Sequence, residues 1–189
     1  MKQLILFILL AGVFACKSKT KSGPLPGIPG ANKDSISAQA DSAGTTTAGK
    51  IDIESFGDIK LGQHYRETVK ALGNPGSKSK AVEWGADGLL HEDWTWPGKG
   101  LTLNLSSETG KVESSLSVFS ITAKSPCTFK TKAGVGIGSS YNEVQAAYKG
   151  HIDPSSGDTT IIVGSVYGGI IFTFKEDKVS EIFLGAAAE

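Results

Sequence analysis

The sequence predicts an α+β fold: two tandem helix-plus-antiparallel-sheet units forming one layered domain, after a signal peptide and a disordered tether. Three observations carry that prediction. The stretch Leu61-Gly62-Gln63-His64-Tyr65-Arg66-Glu67 returns as Ile137-Gly138-Ser139-Ser140-Tyr141-Asn142-Glu143, so both copies read apolar-Gly-x-x-Tyr-x-Glu. Each copy opens a short helical pattern and then passes into strand-rich segments. The later parts also correspond, Gly100-Leu101-Thr102-Leu103-Asn104-Leu105 with Gly169-Ile170-Ile171-Phe172-Thr173-Phe174, and Lys111-Val112 with Lys178-Val179. The offset falls from 76 to 69 and then 67 along this alignment, so the second copy is the shorter.

Residues 1–15 are of another kind. Lys2 gives a positive start, and Leu4 to Phe14 is an unbroken run of 11 apolar or small residues. As a helix it would rise about 16 Å, well short of a hydrocarbon core of about 30 Å. A charged start, a short apolar region and a small residue before a cut describe a secretory signal. Val13-Phe14-Ala15-Cys16 resembles the bacterial lipoprotein signal, in which an aliphatic residue and a small residue precede a modified cysteine. Val13, Ala15 and Cys16 match the pattern; Phe14 is bulkier than its usual residue. The resemblance implies that Cys16 becomes the mature N-terminus and carries acyl chains that hold the protein to a membrane. An ordinary cleaved signal with an incidental Cys16 is the alternative. Lys17-Ser18 stand where many such proteins place an Asp that retains them at the inner membrane, which implies the outer membrane.

Residues 16–50 comprise the lipidated cysteine and a linker. Gly23-Pro24-Leu25-Pro26-Gly27-Ile28-Pro29-Gly30 excludes helix and central strand, because proline fixes φ and removes a donor. Too few apolar residues are present to offset the entropy of ordering. Such a chain spans about 30–35 Å, enough to hold a domain off a membrane. Charge divides the same way. Residues 17–50 carry five Lys against Asp34 and Asp41, whereas residues 51–189 carry 13 basic and 17 acidic side chains. A mildly acidic domain without a basic stripe excludes nucleic acid as a partner, since that affinity comes from clustered Lys and Arg.

Residues 51–123 are expected to form the first unit. Ile51, Ile53 and Phe56 alternate as a short strand. Tyr65, Val69 and Leu72 follow at helical spacing within His64 to Leu72, and Gly73-Asn74-Pro75-Gly76 ends the helix. Strands are expected over 80–85, 89–96, 100–106 and 111–122, with Ser107-Glu108-Thr109-Gly110 as a hairpin turn. Residues 124–189 form the second unit, entered through a link over 123–133. Ser140 and Glu143 make a capping box, and Tyr141, Val144 and Tyr148 supply the buried stripe. Strands follow over 159–164, 166–175 and 178–185.

With Trp94-Thr95-Trp96 and Tyr148 added to the repeated motif, this plan resembles the superfamily of beta-lactamase inhibitor proteins and small outer-membrane assembly lipoproteins, over about residues 57–186. The matching positions include Gly62, Tyr65, Glu67, Val69, Leu72, Gly73 and Pro75, with Gly138, Tyr141 and Glu143 in the second copy. The resemblance implies a sheet that binds other proteins and needs no catalysis or cofactor. The chain departs from the secreted inhibitors in lacking their disulfides, and from the assembly lipoproteins in carrying two units.

Candidate chemistry is sparse. Glu67 and Glu143 recur at a capping position, which explains both without catalysis. His91 and Asp93 share one strand face while Glu92 points away, so they make no metal site alone, and His64 and His151 have no ligand-spaced company. Ala133-Gly134-Val135-Gly136-Ile137-Gly138 has the glycines of a phosphate loop without its parallel βαβ setting, and reads as a bend. Cys127 lacks a paired base and is expected to be a buried free thiol.

Trp94 and Trp96 share one face. They are core if the helices cover it, and an aromatic binding patch if it is open. Tyr167 offers a second-unit counterpart. Thr102, Asn104 and Thr173 lie opposite the Leu and Phe positions on a face that is polar apart from Ile171, as an open sheet surface would be. The sequence thus points to a lipid-anchored envelope module that binds a protein through Trp94, Trp96, Thr102, Asn104, Tyr167, Ile171 and Thr173: a scaffold, assembly factor or inhibitor, and not an enzyme. The alternative is an envelope hydrolase or carbohydrate-binding protein, which would need convergent acids such as Glu83, Asp87 or Asp93. A small apolar ligand between sheet and helices is a third.

Overall fold

The computed structural model describes residues 55–187. The signal, Cys16, the tether and the strand positions Ile51 and Ile53 lie outside the described residues. The chain starts with a hairpin, β1 (Ser55–Phe56) and β2 (Ile59–Lys60), and then α1 (Tyr65–Leu72). Next come β3 (Ser77–Lys78), β4 (Val82–Glu83), β5 (Leu90–Trp96), β6 (Leu101–Ser107), the single turn α2 (Val112–Ser115) and β7 (Ser117–Lys124). The second half holds α3 (Tyr141–Ala147), β8 (Thr160–Ser165), β9 (Gly168–Lys175) and β10 (Lys178–Gly185). The fold is α+β. One antiparallel sheet of eight strands runs β3-β5-β6-β7-β10-β9-β8, and β4 also pairs with β5.

The two halves meet at β7 and β10, where Ala123 pairs with Ile182 and Ile121 with Leu184. A quasi-twofold relation follows from that seam, and the repeated motif shows why it recurs. Gly62 N donates to Val118 O at 2.7 Å, and Gly138 N donates to Val179 O at 2.8 Å. Tyr65 N donates to Leu116 O at 3.0 Å, and Tyr141 N to Asp177 O at 3.1 Å. In each half the motif therefore clamps the start of its helix to the start of that half's last strand. Gly62 and Gly138 adopt φ of 75° and 85°, which glycine reaches without steric cost.

Those bonds also correct the alignment. The partner of Val179 is Val118, not Val112, and the expected strand over 111–122 begins only at Ser117. Lys111 instead precedes α2, so Ser107-Glu108-Thr109-Gly110 is not a simple hairpin turn. The reason lies in the connections. Glu176 and Asp177, both at positive φ, close β9 to β10 in a two-residue turn, whereas the first half inserts a helical turn there. The expected strand over 80–85 shrinks to Val82–Glu83, and β3 forms beside it without having been expected.

The helices end as their residues dictate. Ser140 Oγ accepts from Glu143 N at 3.3 Å and Glu143 Oε2 accepts from Ser140 N at 2.6 Å, which completes the capping box of α3. At α1 the cap is His64, whose Nδ1 accepts from Arg66 N at 3.3 Å, so Glu67 lies in the first turn without a reciprocal Ser. Both helices cover the same sheet face. Leu72, Val144 and Tyr148 share one buried cluster with Trp94, Leu103, Ile121, Phe172 and Ile182. Tyr65 meets Trp94 of β5 edge-on at 5.8 Å, whereas Tyr141 meets Phe174 of β9 at 5.0 Å, so the two motif tyrosines pack on different strands of their halves. Each large side chain fully buried here contributes about 1.5–3 kcal/mol. Cys127 is a buried free thiol, and burial pushes its pKa up.

Candidate functional site: the open sheet face

Strand pleating sends alternate side chains to opposite faces. With Trp94, Leu103, Ile121, Ile182, Phe172 and Ile161 under the helices, their neighbours form the other face. The pairing register sets these in one row across the sheet: Ser77, Thr95, Thr102, Thr122, Phe183, Ile171 and Ile162. Apart from exposed Ser77 they are half-buried. The first-half end is hydroxylic, with Thr95 and Thr102 hydroxyls 3.5 Å apart. The second-half end is apolar. No charged side chain stands in this row. A parallel row begins Lys124, Glu181, Thr173, and Lys124 Nζ lies 3.2 Å from Glu181 Oε2 across the β7–β10 seam.

On the other side runs Asp93, Asn104 and Ser120, continued in β10, β9 and β8 by Gly185, Gly169 and Gly164. A Cβ at Gly185 would stand 2.8 Å from Ser120 Cβ, so the strands approach here too closely for a side chain. The apolar end of the central row is therefore not flanked by bulky neighbours in β9 and β10.

The first-half end is organised by His91. Its ring is buried, stacked on Trp84 at 3.7 Å with an interplanar angle of 5°, and met edge-on by Phe119 at 4.8 Å. Nδ1 lies 2.7 Å from Asn104 Oδ1 and Nε2 lies 2.9 Å from Asp87 Oδ2. Asn104 Nδ2 in turn donates to Asp93 Oδ1 at 2.8 Å. The Leu89 N–H holds the Asp87 carboxyl below its usual range against the opposing effect of burial, with His91 adding to the depression. Phe119 reaches this side because the register shifts between Asn104 and Leu105, leaving one extra residue in β7. Asp87 and Asp93 thus do not converge on a cleft. Buried His91 and half-buried Asn104 stand between them, and Trp84 stacks on the His91 ring.

The expected site residues separate cleanly. Thr102, Asn104, Ile171 and Thr173 occupy the open face, half-buried. Trp94 and Trp96 do not: they are 2% and 4% exposed, because α1 covers their side of β5. Trp96 Nε1 donates to Gly73 O at 3.0 Å and ties the helix end to the sheet. The patch reading of both tryptophans is thereby overturned. Tyr167 is 75% exposed, yet it stands in the turn between β8 and β9 and not on the face. Thr95, Thr122, Phe183 and Ile162 belong to the central row and were missed; strand alternation counted outward from Thr102 and Ile171 was the signal for them. Among the described residues no three His, Cys, Asp or Glu side chains gather as a metal would need.

Comparison of the chain with protein-family models, curated proteins and solved structures finds no match.

Proposed function

We infer that the protein is a lipid-anchored module of the cell envelope that binds another protein through the open face of its sheet. The observation carrying this reading is the central row, half-buried side chains without a charge, running from Thr95 to Ile162 over six strands. Antiparallel sheets that merely face water place charged and polar residues outward. Interface centres are instead depleted of charge and enriched in aromatic side chains. Phe183, Ile171 and Ile162 provide an apolar anchor. The lipoprotein-like signal and the Pro- and Gly-containing tether support attachment through acylated Cys16, with reach to a neighbour at the membrane. The outer membrane is the favoured location, and the resemblance to inhibitors and assembly lipoproteins favours a binding over a catalytic role.

The test is capture from detergent-solubilised envelopes by the acylated chain. We expect a partner that is recovered by the unmodified protein and by Lys149→Glu, and lost with Thr102→Lys combined with Ile171→Glu. Equal recovery by the doubly substituted face, or nothing recovered above a secreted Cys16→Ser form, would contradict the proposal.

A further inference from the structure

On the side of the sheet opposite the proposed docking face, a cleft of about 390 Å³ opens between α1 and the edge strand β3. We propose that this cleft binds a carboxylate carried on an apolar group. It is a second site, and it does not depend on the docking reading.

The floor of the cleft is Trp94. Its indole Nε1 is buried and, alone among the described residues' buried side-chain polar atoms, has no hydrogen-bond partner. An indole N–H can only donate, and a buried donor without an acceptor is destabilising, so such a group calls for an acceptor from elsewhere. By contrast Trp96, two residues on, satisfies its own N–H at Gly73. The pairing is thus available to a tryptophan in this strand, and Trp94 goes without it.

Two cations stand at the same cleft. Arg66 Nη2 lies 3.1 Å from Glu113 Oε2 and its Nε donates to Tyr65 Oη at 3.1 Å. The Glu113 carboxyl is held below its usual range by the Tyr65 hydroxyl first and Arg66 second, so it offsets Arg66 as an ion. Among the described residues Lys78 has no such counterion: its Nζ rests 3.5 Å from the centroid of the Trp94 ring. The cleft therefore carries one uncompensated positive charge, inside a domain whose acidic side chains outnumber the basic ones.

A single excess charge matches a monoanion better than a phosphate dianion. A carboxylate supplies acceptors only, which suits the Lys78 ammonium and the Asn74 amide that line the cleft. The remaining walls, Val69, Pro75 and the Tyr65 ring, are apolar and suit a hydrocarbon or aromatic body. Lys78 sits on a two-residue edge strand and is exposed, so its ammonium can leave the ring to meet an incoming anion without unfolding an element.

The experiment follows the three indole N–H signals of the full-length chain in detergent micelles, with Trp94 assigned through Trp94→Phe. Benzoate is the probe and benzamide its neutral control. Benzoate is expected to shift the Trp94 signal saturably while those of Trp84 and Trp96 stay in place. Lys78→Ala should weaken that titration about tenfold, as the loss of one charge-assisted hydrogen bond implies. A peptide ending in a free phenylalanine carboxylate, compared with its amide, distinguishes the sources. A response to the free acid points to a chain terminus, and a response to benzoate alone points to a small organic acid. No movement of the Trp94 signal, an equal response to benzamide, or an equal response to inorganic phosphate would overturn the proposal.

Discussion

At the residue scale, one step along a strand decides between core and surface. Trp94 and Thr95, or Phe172 and Ile171, are neighbours in the chain and lie on opposite sides of the sheet. The sequence showed that Trp94 and Trp96 share a face, but both sides of this sheet carry large apolar residues, so alternation could not say which side the helices choose. Tyr65 settles it by packing edge-on against Trp94. Trp94→Ala should accordingly act on the core, lowering stability by about 3–5 kcal/mol. Ile171→Ser on the open face should cost about 1 kcal/mol or less. Urea denaturation of the two variants checks this, and equal losses would contradict the assignment of faces. His91 shows a second limit. Its partner Asp87 and its stacking partner Trp84 come from the turn between β4 and β5, but Asn104 comes from β6, and only the pairing of β5 with β6 brings it to the ring.

At the scale of the element, local chemistry was readable wherever the bonds are local. The capping box over Ser140 and Glu143, the α1 stripe with its glycine stop, and β10 all form as their residues indicate. The β6–β7 connection was not readable, because Lys-Val recurs by coincidence in a helical turn and in a strand. Only the long-range bonds to Val118 and Val179 reveal the true equivalence. The capping box also has a pH signature. The Ser140 amide and hydroxyl depress the Glu143 carboxyl below its ordinary value of 4.5. A depressed acid favours the folded state above its unfolded pKa, and that contribution disappears as pH falls through the lower folded value. The urea midpoint of the native chain should therefore drop below about pH 4.5 more steeply than that of Glu143→Gln, which can still cap but does not titrate. Parallel curves would show that the box contributes nothing to the acid response. Asp87, Glu113 and Asp153 are depressed too and leave a residual slope common to both proteins.

At the scale of the whole molecule, the repeated motif produces one sheet. Each half buries one side of three long strands under its own helix, and pairing of β7 with β10 makes the two layers continuous. That continuity keeps one face filled and the other free across the seam, which is what the proposed docking role requires. The tandem plan was visible in the recurrence of Gly-x-x-Tyr-x-Glu; the order of the strands was not, since register between distant strands leaves no local trace. All three tryptophans, Trp84, Trp94 and Trp96, lie in the first half, so their fluorescence reports that half alone. Phe172, fully buried in β9, lies in the second. The most direct measurement is thus the tryptophan-monitored urea transition of Phe172→Ala. A single continuous sheet predicts that this transition moves to lower urea, by the equivalent of about 3–5 kcal/mol. A tryptophan transition left where it was, with only a second-half signal lost early, would show that the halves fold separately and that no common face spans them.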